Sequence, residues 1–444
     1  MSKKESILKP KGRIKGGARL PHNKTTAEMK TVVIAPPEKV VISMSQHIGA
    51  PCTPTVNVGD EVFVGTLIGD SENFVSAPIH SSVSGAVTEI TKIRLPAGNM
   101  VDAVVIQSDG NMTPDPNIKP KKVRSAKALI QAVRDSGLVG LGGAGFPAHV
   151  KLKTSPDKPI DTLIINGAEC EPYITSDYRE IMENPSDVLE GIYLIKKLLK
   201  IENVIIAVED NKPKAIKTLY EMAADKRDKD DKVKLMKLKS RYPQGAEKVI
   251  IYSATKRKLP LGKLPSDVGC IVMNVTSVAF ISRYLRTGMP LVKKRITVDG
   301  NAVGEPKNLL VPIGTPISHI LDLCKVEGAE KVTMGGPMMG ITVYDTELPL
   351  LKQNNAILAF KGKYAESKPT TDCIRCGRCL RACPMNLTPA PVEYAVKKQG
   401  ADELKALNVM YCMECGSCSF VCPAGRPLTA TMRLAKNEVR KAGN

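Results

Sequence analysis

Two cysteine runs near the carboxyl end of the chain carry the strongest chemical signal in the sequence. The first reads CIRCGRCLRACP and the second reads CMECGSCSFVCP. Both fit C-x2-C-x2-C-x3-C-P, the spacing with which thiolates bind [4Fe–4S] clusters. Three cysteines at this pitch can wrap one face of a cubane, while the fourth, followed by proline, is directed toward the other cluster. A zinc site does not fit, because zinc ligands usually come as two spaced pairs.

The two runs therefore predict two clusters with crossed ligation. The expected ligands are Cys373, Cys376, Cys379 and Cys422 for one cluster, and Cys383, Cys412, Cys415 and Cys418 for the other. The 28 residues between Cys383 and Cys412 have a helical pattern. We therefore expect a helical domain at residues 364–435, similar to helical two-cluster ferredoxins.

A glycine-rich loop forms the second signal. The segment GLVGLGGAGFPAHVKL, residues 137–152, offers backbone amides that can approach a phosphate closely. A buried strand is predicted at Thr162–Ile165 and ends in the polar segment NGAECEP. Polar groups at the carboxyl end of a strand are ligand positions in an open α/β sheet. The loop alone could equally be a flexible turn, so the prediction of a phosphate-binding site depends on the polar strand end that follows it.

Alternating helices and strands predict the domain that holds this loop. We expect a doubly wound, Rossmann-like parallel sheet at residues 120–288. The predicted strands are Thr162–Ile165, Asn203–Val208 and Val233–Leu238, and the predicted helices are Ala126–Ser136, Val188–Lys200, Lys212–Met222 and Ala246–Thr255.

Short strands separated by turns flank that domain on both sides. Residues 31–115 predict a small β-barrel or sandwich. Its expected strands are Val32–Ile34, Val40–Ile42, Val56–Val58, Glu61–Val64, Ala86–Ile90 and Ala103–Gln107. Residues 289–345 predict a compact α+β unit, and residues 1–30 predict an extended basic arm. The fold class is thus multidomain α/β with a small β-barrel.

Composition limits the functions that these domains can have. The 444 residues are 43% hydrophobic, and no run approaches the ~18 apolar residues that span a bilayer. The lysines near the start precede no apolar core, so we expect a cytosolic address and no disulfides. The net charge of +19 fits an acidic partner, an anionic cofactor, an anionic membrane face or a solvated surface. Nucleic acid is disfavoured, because aromatic residues make up only 4%.

The loop and the strand end together resemble the NADH-binding flavoprotein subunit of respiratory complex I. That family pairs GRGGAGFP with NADESEP, and YPQGAEK and MNVTS stand here in the order of two further motifs. The resemblance implies FMN surrounded by Gly140, Gly142, Lys151, Asn166, Glu169, Tyr242, Gly245 and Asn274. It also implies that Phe146 stacks on the nicotinamide or adenine of NADH, and that Glu171 and Glu247 line the NADH pocket. The unit at 289–345 resembles that family's β-grasp-like ligand-binding (SLBB) domain.

The domain order over the whole chain resembles the RnfC family of the Rnf electron transport complex. The stretch VNVGDEVFVGTLIGD resembles lipoyl carrier barrels, but no lysine lies between Asp70 and Thr91 to serve as a carrier. The family implies an NAD-linked oxidoreductase subunit, peripheral on the cytoplasmic face of the cell membrane and without its own transmembrane helix. Electrons would pass between NAD(H), FMN and two [4Fe–4S] clusters, with other Rnf subunits as partners and ferredoxin as an indirect one. We expect the basic arm to meet the membrane subunits.

Two alternatives remain at this point. A soluble cobalamin reductase of the propanediol-utilisation type shares the flavin loop and clusters, but has the barrel at the other end. A scaffold that carries clusters without flavin is the other alternative.

Overall fold

The computed structural model describes residues 7–12, 15–155, 157–225, 233–398 and 400–442. Residues 1–6, 13 and 14 of the predicted arm lie outside the described residues. The strands are β1 (Ile7–Leu8), β2 (Thr31–Val33), β3 (Lys39–Ser43), β4 (Thr53–Pro54), β5 (Glu61–Val62), β6 (Leu67–Asp70), β7 (Ile79–His80), β8 (Gly85–Arg94), β9 (Met100–Ser108), β10 (Thr162–Gly167), β11 (Asn203–Glu209), β12 (Val233–Leu238), β13 (Cys270–Asn274), β14 (Lys293–Asp299), β15 (Lys307–Pro312), β16 (Lys331–Met334), β17 (Ile341–Thr342) and β18 (Ala356–Phe360).

The α-helices are α1 (Ala126–Asp135), α2 (Ala148–Leu152), α3 (Ser176–Glu183), α4 (Pro185–Leu199), α5 (Pro213–Asp225), α6 (Glu247–Thr255), α7 (Val275–Thr287), α8 (Ile317–Leu323), α9 (Arg378–Ala382), α10 (Pro389–Lys398), α11 (Ala401–Ala406), α12 (Ser417–Phe420) and α13 (Leu428–Lys441). Within the described part of the chain, no helix is long and apolar enough to cross a membrane.

A parallel sheet forms the centre of the middle domain, with strand order β1-β12-β11-β10-β13. Side chains along β10 alternate between its two faces, as the pleat requires. Leu163 and Ile165 join the core beneath α4 and α7, whereas Ile164 joins the core beneath α6. The predicted doubly wound sheet is therefore confirmed. Asn166 and Asn274 are register partners at the carboxyl ends of β10 and β13, so the two polar strand ends lie side by side.

Two small antiparallel sheets form the barrel, in the orders β3-β9-β8-β5 and β4-β6-β7. They enclose an aliphatic core that includes Val40, Ile42 and Ile106. The strand predicted at Val56–Val58 is wrong, because this segment is a turn before β5. The Asp60 carboxylate accepts the Asn57 backbone N–H at 2.8 Å and closes that turn.

A six-stranded sheet, ordered β17-β16-β18-β14-β15-β2, takes all its strands except β2 from residues after the middle domain. The strand predicted for the barrel at Val32–Ile34 is β2, and it pairs instead with β15 of this sheet. The physical reason is packing: Ile34 is buried in the core of the six-stranded sheet. Strand β18 also belongs here, although it lies after residue 345. The domain bounds themselves stay predictions.

Helices α9–α13 form the carboxyl-terminal unit around a small core. That core includes Leu387, Val392, Leu404 and Met432. Helix α13 packs against α10 and α11, so the segments that carry the two cysteine runs are drawn together.

Candidate cofactor sites

The glycine-rich loop is closed by its own backbone. The Gly140 N–H donates to the Phe146 carbonyl at 2.8 Å, and Val139 bridges Pro147. Leu141 anchors the loop to neighbouring elements. Its N–H donates to Ser277 Oγ at 3.0 Å, and its carbonyl accepts a hydrogen bond from Lys294 Nζ at 2.8 Å. Residues 142–144 form its exposed tip. The amides of the tip are therefore held in place and open to a ligand.

Gly142 faces the end of β13 at close range. A Cβ at this position would lie 3.0 Å from Asn274 Nδ2, so a side chain would crowd the amide. Asn274 itself caps α7 by accepting the Ser277 N–H at 3.2 Å, and it donates to Asp177 at 2.7 Å. The loop and the strand end thus form one cradle that has no side chain on the loop side.

The segment before α6 completes this edge of the sheet. Asn166 Nδ2 donates to the Gly245 carbonyl at 2.8 Å, and its Oδ1 accepts the Ala168 N–H at 3.2 Å. A Cβ on Gly245 would lie 3.2 Å from Ala168 Cβ. The structure therefore brings Asn166 and Gly245 to the same edge as Asn274.

Three more of the predicted residues meet beside the loop. Lys151 Nζ lies 2.9 Å from Glu247 Oε2 and 6.0 Å from the ring centroid of Phe146. Both charged side chains are partly exposed. Glu247 is the first residue of α6, so its carboxylate lies at the amino end of that helix and offsets the charge of the Lys151 ammonium.

Glu169 has a structural role that its motif does not reveal. Its carboxylate accepts the backbone N–H of Asp177 at 2.6 Å and of Tyr178 at 3.4 Å, at the start of α3. Burial raises the pKa of this carboxyl. The Lys212 ammonium holds the preceding backbone, donating to the Ala168 carbonyl at 2.7 Å. The predicted FMN neighbour therefore anchors the strand end to a helix.

Glu171 points toward the six-stranded sheet unit. Its carboxylate accepts the backbone N–H groups of Met338 and Met339 at 3.1 and 3.0 Å. Burial raises the pKa of this carboxyl to about 7. A Cβ on Gly336 would lie 2.4 Å from Glu171 Oε2, so only glycine allows this approach.

The Tyr242 hydroxyl is buried beside this carboxylate. It interacts with that carboxylate through a side-chain hydrogen bond. Burial, and then the Glu171 carboxylate, raise the pKa of Tyr242. The partner of this hydroxyl therefore lies within the protein. The cradle at Gly142 and the Lys151 ammonium beside it are the groups that fit a flavin phosphate ester.

The second predicted set of cluster ligands lines one pocket. Cys383, Cys412, Cys415 and Cys418 share it with apolar side chains such as Leu387 and Met432. The Leu387 N–H donates to Cys383 Sγ at 3.3 Å, as amides do to cluster sulfurs. Burial raises the pKa of Cys412 to about 11 and of Cys418 to about 12. Metal binding would offset this cost, because it requires and stabilises the thiolates. This donor set fits a [4Fe–4S] cluster.

The first predicted set is more exposed. Cys373 and Cys376 are exposed, and Cys379 and Cys422 are intermediate. The segments before Cys373 and after Cys422 are paired, because the Thr371 N–H donates to the Ala424 carbonyl at 3.0 Å. This pairing brings the ends of the two runs together. All twelve cysteines are free thiols, and Cys52, Cys170, Cys270 and Cys324 lie outside both sets.

We call the carboxyl ends of β10 and β13, together with the glycine-rich loop and residues 242–247, the flavin edge. Sequence reasoning missed three lysines that hold it. Lys24, Lys212 and Lys294 each donate from Nζ to backbone carbonyls of the loop or the strand end. Burial lowers the pKa of Lys294 to about 8. Nothing local in the sequence distinguishes these residues from the many exposed lysines.

Three family profiles match the chain in the order barrel, flavin domain, cluster domain. The RnfC barrel sandwich hybrid domain matches residues 12–111, the Nuo51 FMN-binding domain residues 133–283, and the 4Fe-4S dicluster domain residues 372–426.

Curated relatives match nearly the whole chain. The C subunit of the Na+-translocating ferredoxin:NAD+ oxidoreductase complex of Acetobacterium woodii is 41% identical over 98% of this chain and 99% of its own. The C subunit of the proton-translocating ferredoxin:NAD+ oxidoreductase complex of Clostridium ljungdahlii is 42% identical over 97% of this chain and 94% of its own. The C subunit of the ion-translocating oxidoreductase complex of Pseudomonas aeruginosa is 37% identical over 96% of this chain and 55% of its own.

Proposed function

Because the chain belongs to the RnfC family of Rnf complex subunits, we propose that it is the NADH-interacting electron-transfer subunit of an ion-translocating ferredoxin:NAD+ oxidoreductase complex. It is an NAD-linked oxidoreductase subunit with an FMN-binding domain and a 4Fe-4S dicluster domain. Oxidation of one NADH releases two electrons and one proton, and the electrons would pass between NAD(H), a bound FMN and two [4Fe–4S] clusters, each of which would exchange one electron at a time.

One observation carries this proposal: the loop at Met338 links the strand end that holds Glu171 to the second ligand set. The Met338 N–H donates to Glu171, and its carbonyl lies 2.9 Å from the position that a Cβ on Gly416 would take. Gly416 follows the proposed ligand Cys415. Because electron transfer slows steeply with distance, a subunit of this kind needs its two sites to be joined by so short a link.

The residues of the flavin edge have distinct proposed roles. When bound, the flavin supplies the exchange between a two-electron hydride step and one-electron steps. The amides at Gly142 and the Lys151 ammonium bind the phosphate, and Asn166, Gly245 and Asn274 shape the cradle. Phe146 stacks on a ring of NADH, and Glu247 lines the NADH pocket. Glu169 and Glu171 orient the strand end through the helix and the loop that they bind.

The cluster ligands are proposed as the crossed sets given above. The apolar pocket of the second set excludes water from one cluster, whereas the first set is nearer the surface. This difference favours the buried site as the one next to the flavin edge.

Two units have proposed identities of their own. We assign the unit built on β14–β18 to the SLBB β-grasp-like class, which its mixed sheet and single packed helix support. We assign the barrel to the lipoyl-like class. Its segment from Asp70 to Thr91 holds no lysine, so it would serve as a docking module.

The proposed location is the cytoplasmic face of the cell membrane, with the chain held peripherally by other Rnf subunits. Ferredoxin would act through those subunits. Nucleic acid is not a proposed partner. The cobalamin reductase alternative is disfavoured, because the barrel match precedes the flavin-domain match in the chain.

Anaerobic reconstitution of the full chain tests the proposal. We expect bound FMN, roughly eight irons and eight sulfides per chain, and bleaching of the flavin and cluster absorbance on addition of NADH. The same protein stripped of flavin should keep its iron and lose the response to NADH. A reconstituted chain that binds no flavin and does not bleach would instead be the cluster-carrying scaffold.

A further inference from the structure

The amino-terminal segment touches both candidate sites. We call residues 15–26 the strap. The Gly17 N–H donates to the Ala382 carbonyl at 2.9 Å, directly before the ligand Cys383. The next residue, Ala18, exchanges two backbone hydrogen bonds with Tyr242, at 2.8 and 3.1 Å. The strap therefore passes between the cluster unit and the flavin edge and is bonded to each.

Two glycines allow this passage. Gly16 has φ +91° and Gly17 has φ +84°, a region that other residues rarely adopt. A Cβ on Gly16 would lie 2.6 Å from the Cys383 carbonyl oxygen, and a Cβ on Gly17 would lie 2.4 Å from that of Tyr242. Both contacts are with backbone, which cannot move without moving Cys383 or Tyr242.

Lys24 fastens the other end of the strap. Its ammonium donates to the backbone carbonyls of Glu169 at 2.9 Å, Glu171 at 2.8 Å, and Ile174. Nearby, the Tyr173 N–H donates to the His22 carbonyl at 3.0 Å. Burial lowers the pKa of Lys24 to about 8. One lysine thus closes the loop that presents Glu171 to Met338.

We propose that the strap is a positioning element that holds the flavin edge and the cluster of Cys383, Cys412, Cys415 and Cys418 at one fixed separation. Gly16 acts through Cys383, Gly17 through Tyr242, and Lys24 through the Glu171 loop. The proposal rests on the proposed function, and it assigns the arm a role inside the subunit. Supports of this kind matter because a site that shifts by about 1 Å can lose ~100-fold in rate.

Pre-steady-state kinetics of the reconstituted full chain separate positioning from general damage. After mixing with NADH, flavin bleaching reports hydride exchange, and cluster bleaching reports internal electron transfer. In Gly16→Ala we expect cluster bleaching to slow by about tenfold or more, with flavin bleaching within about twofold of wild type. Gly98→Ala is the matched control, since Gly98 has φ +96° and nothing within 4 Å of its Cβ position.

Lys24 provides a second pair of variants in case Gly16→Ala loses iron. Lys24→Met should slow cluster bleaching in the same selective way, and Lys24→Arg should restore part of the rate because it keeps the donors. Unchanged cluster bleaching in both Gly16→Ala and Lys24→Met would overturn the proposal. Equal slowing of flavin and cluster bleaching would also overturn it.

Hydrogen exchange gives a readout that needs no NADH. In flavin-free wild-type protein the amides of Gly17, Ala18 and Tyr242 should be protected, and Gly16→Ala should expose them while Gly98→Ala does not. If these three amides are unprotected in the wild type, the strap proposal is wrong, whether or not the protein is active. If these amides are protected in the wild type but the protein does not respond to NADH, the proposed function is wrong. The hydrogen-exchange data then test the strap proposal independently of that function.

Discussion

The Glu171 carboxylate accepts the backbone N–H of Met338 at 3.1 Å, and this bond joins two units that are far apart in the chain. The family motif places Glu171 at an NADH pocket. In the structure its carboxylate holds the loop that contacts Gly416, next to the proposed ligand Cys415. One carboxylate therefore connects the flavin edge to the cluster unit through a single turn of backbone.

Stability should fall with rising pH because of Glu171. Its pKa in the folded protein is about 7, above its ordinary value of 4.5, because burial disfavours the charge. Between these values the folded state holds a proton that the unfolded state has released, so stability decreases as pH rises, by no more than about 1.4 kcal/mol per pH unit. Melting temperatures of the full chain at pH 5 to 8 measure this.

The matched variants are Glu171→Gln and Glu366→Gln. Glutamine cannot ionise, so Glu171→Gln should flatten the dependence of the melting temperature on pH. Glu366 is exposed, and its substitution should leave the slope as in the wild type. If the melting temperature depends on pH with the same slope in the wild type and both variants, the Glu171 carboxyl is not the source of that pH dependence.

Crossed ligation predicts which cysteines share an EPR signal. Cys383→Ala should abolish the same reduced-cluster signal as Cys415→Ala, although the two residues lie in different runs. Cys422→Ala should likewise pair with Cys376→Ala. Each variant should retain roughly four of about eight irons.

Cys324 supplies the control for this series. It is buried outside both ligand sets, so Cys324→Ala should keep all the iron and both signals. If Cys383→Ala instead removes the signal that depends on Cys376, each run binds its own cluster and the crossed assignment is wrong.

Features that depend on local sequence patterns could be predicted, whereas features that depend on contacts between distant residues could not. The proposed cluster ligands follow from the local spacing of cysteines, and β10, β11 and β12 follow from the alternation of helical and strand segments along the chain, so both could be predicted. Strand β2 was assigned to the barrel because its neighbours are barrel strands, yet its partner β15 lies far along the chain. Nothing in a local pattern specifies that pairing.

The strap shows the same limit at the candidate site. Lysines and glycines in an amino-terminal segment predict an extended basic arm. No local pattern predicts that its Gly17 and Lys24 are bonded to Ala382 and to the loop of residues 169–174. Motif resemblance likewise located Glu169 at the site without revealing that its carboxylate caps α3.

Flavin binding should be sensitive to volume at Gly142. A side chain here meets Asn274 Nδ2 at 3.0 Å from its Cβ alone, so Gly142→Val would displace the amide and narrow the cradle. Overpacking typically costs about 1–3 kcal/mol, which corresponds to roughly 5- to 150-fold weaker FMN binding. Quenching of FMN fluorescence on titration into flavin-free protein measures the dissociation constant.

Gly400→Val is the comparison for that variant. Gly400 has φ −76°, and a Cβ there meets nothing within 4 Å, so valine causes neither strain nor a clash. We expect its FMN affinity to equal the wild type. An unchanged dissociation constant in Gly142→Val would show that the flavin does not lie against this part of the loop.

The exposed cluster should depend on Arg426. Its guanidinium binds both carboxylate oxygens of Glu393, at 2.6 and 2.7 Å, and donates to the Thr371 carbonyl at 2.9 Å. Both side chains of the ion pair are largely buried. A lysine ammonium cannot make this planar fork, so Arg426→Lys should free the segment before Cys373 at a cost of about 1–3 kcal/mol.

Iron release to a chelator then distinguishes the two clusters. In Arg426→Lys the EPR signal that depends on Cys376 should decay roughly tenfold faster than in wild type, as ~1.4 kcal/mol of lost support predicts. The signal that depends on Cys415 should decay at the wild-type rate, because its pocket lies apart from Thr371. Arg440→Lys, on the exposed end of α13, should change neither rate. Equal acceleration of both signals would mean that Arg426 stabilises the whole unit and has no particular part in holding the first ligand set.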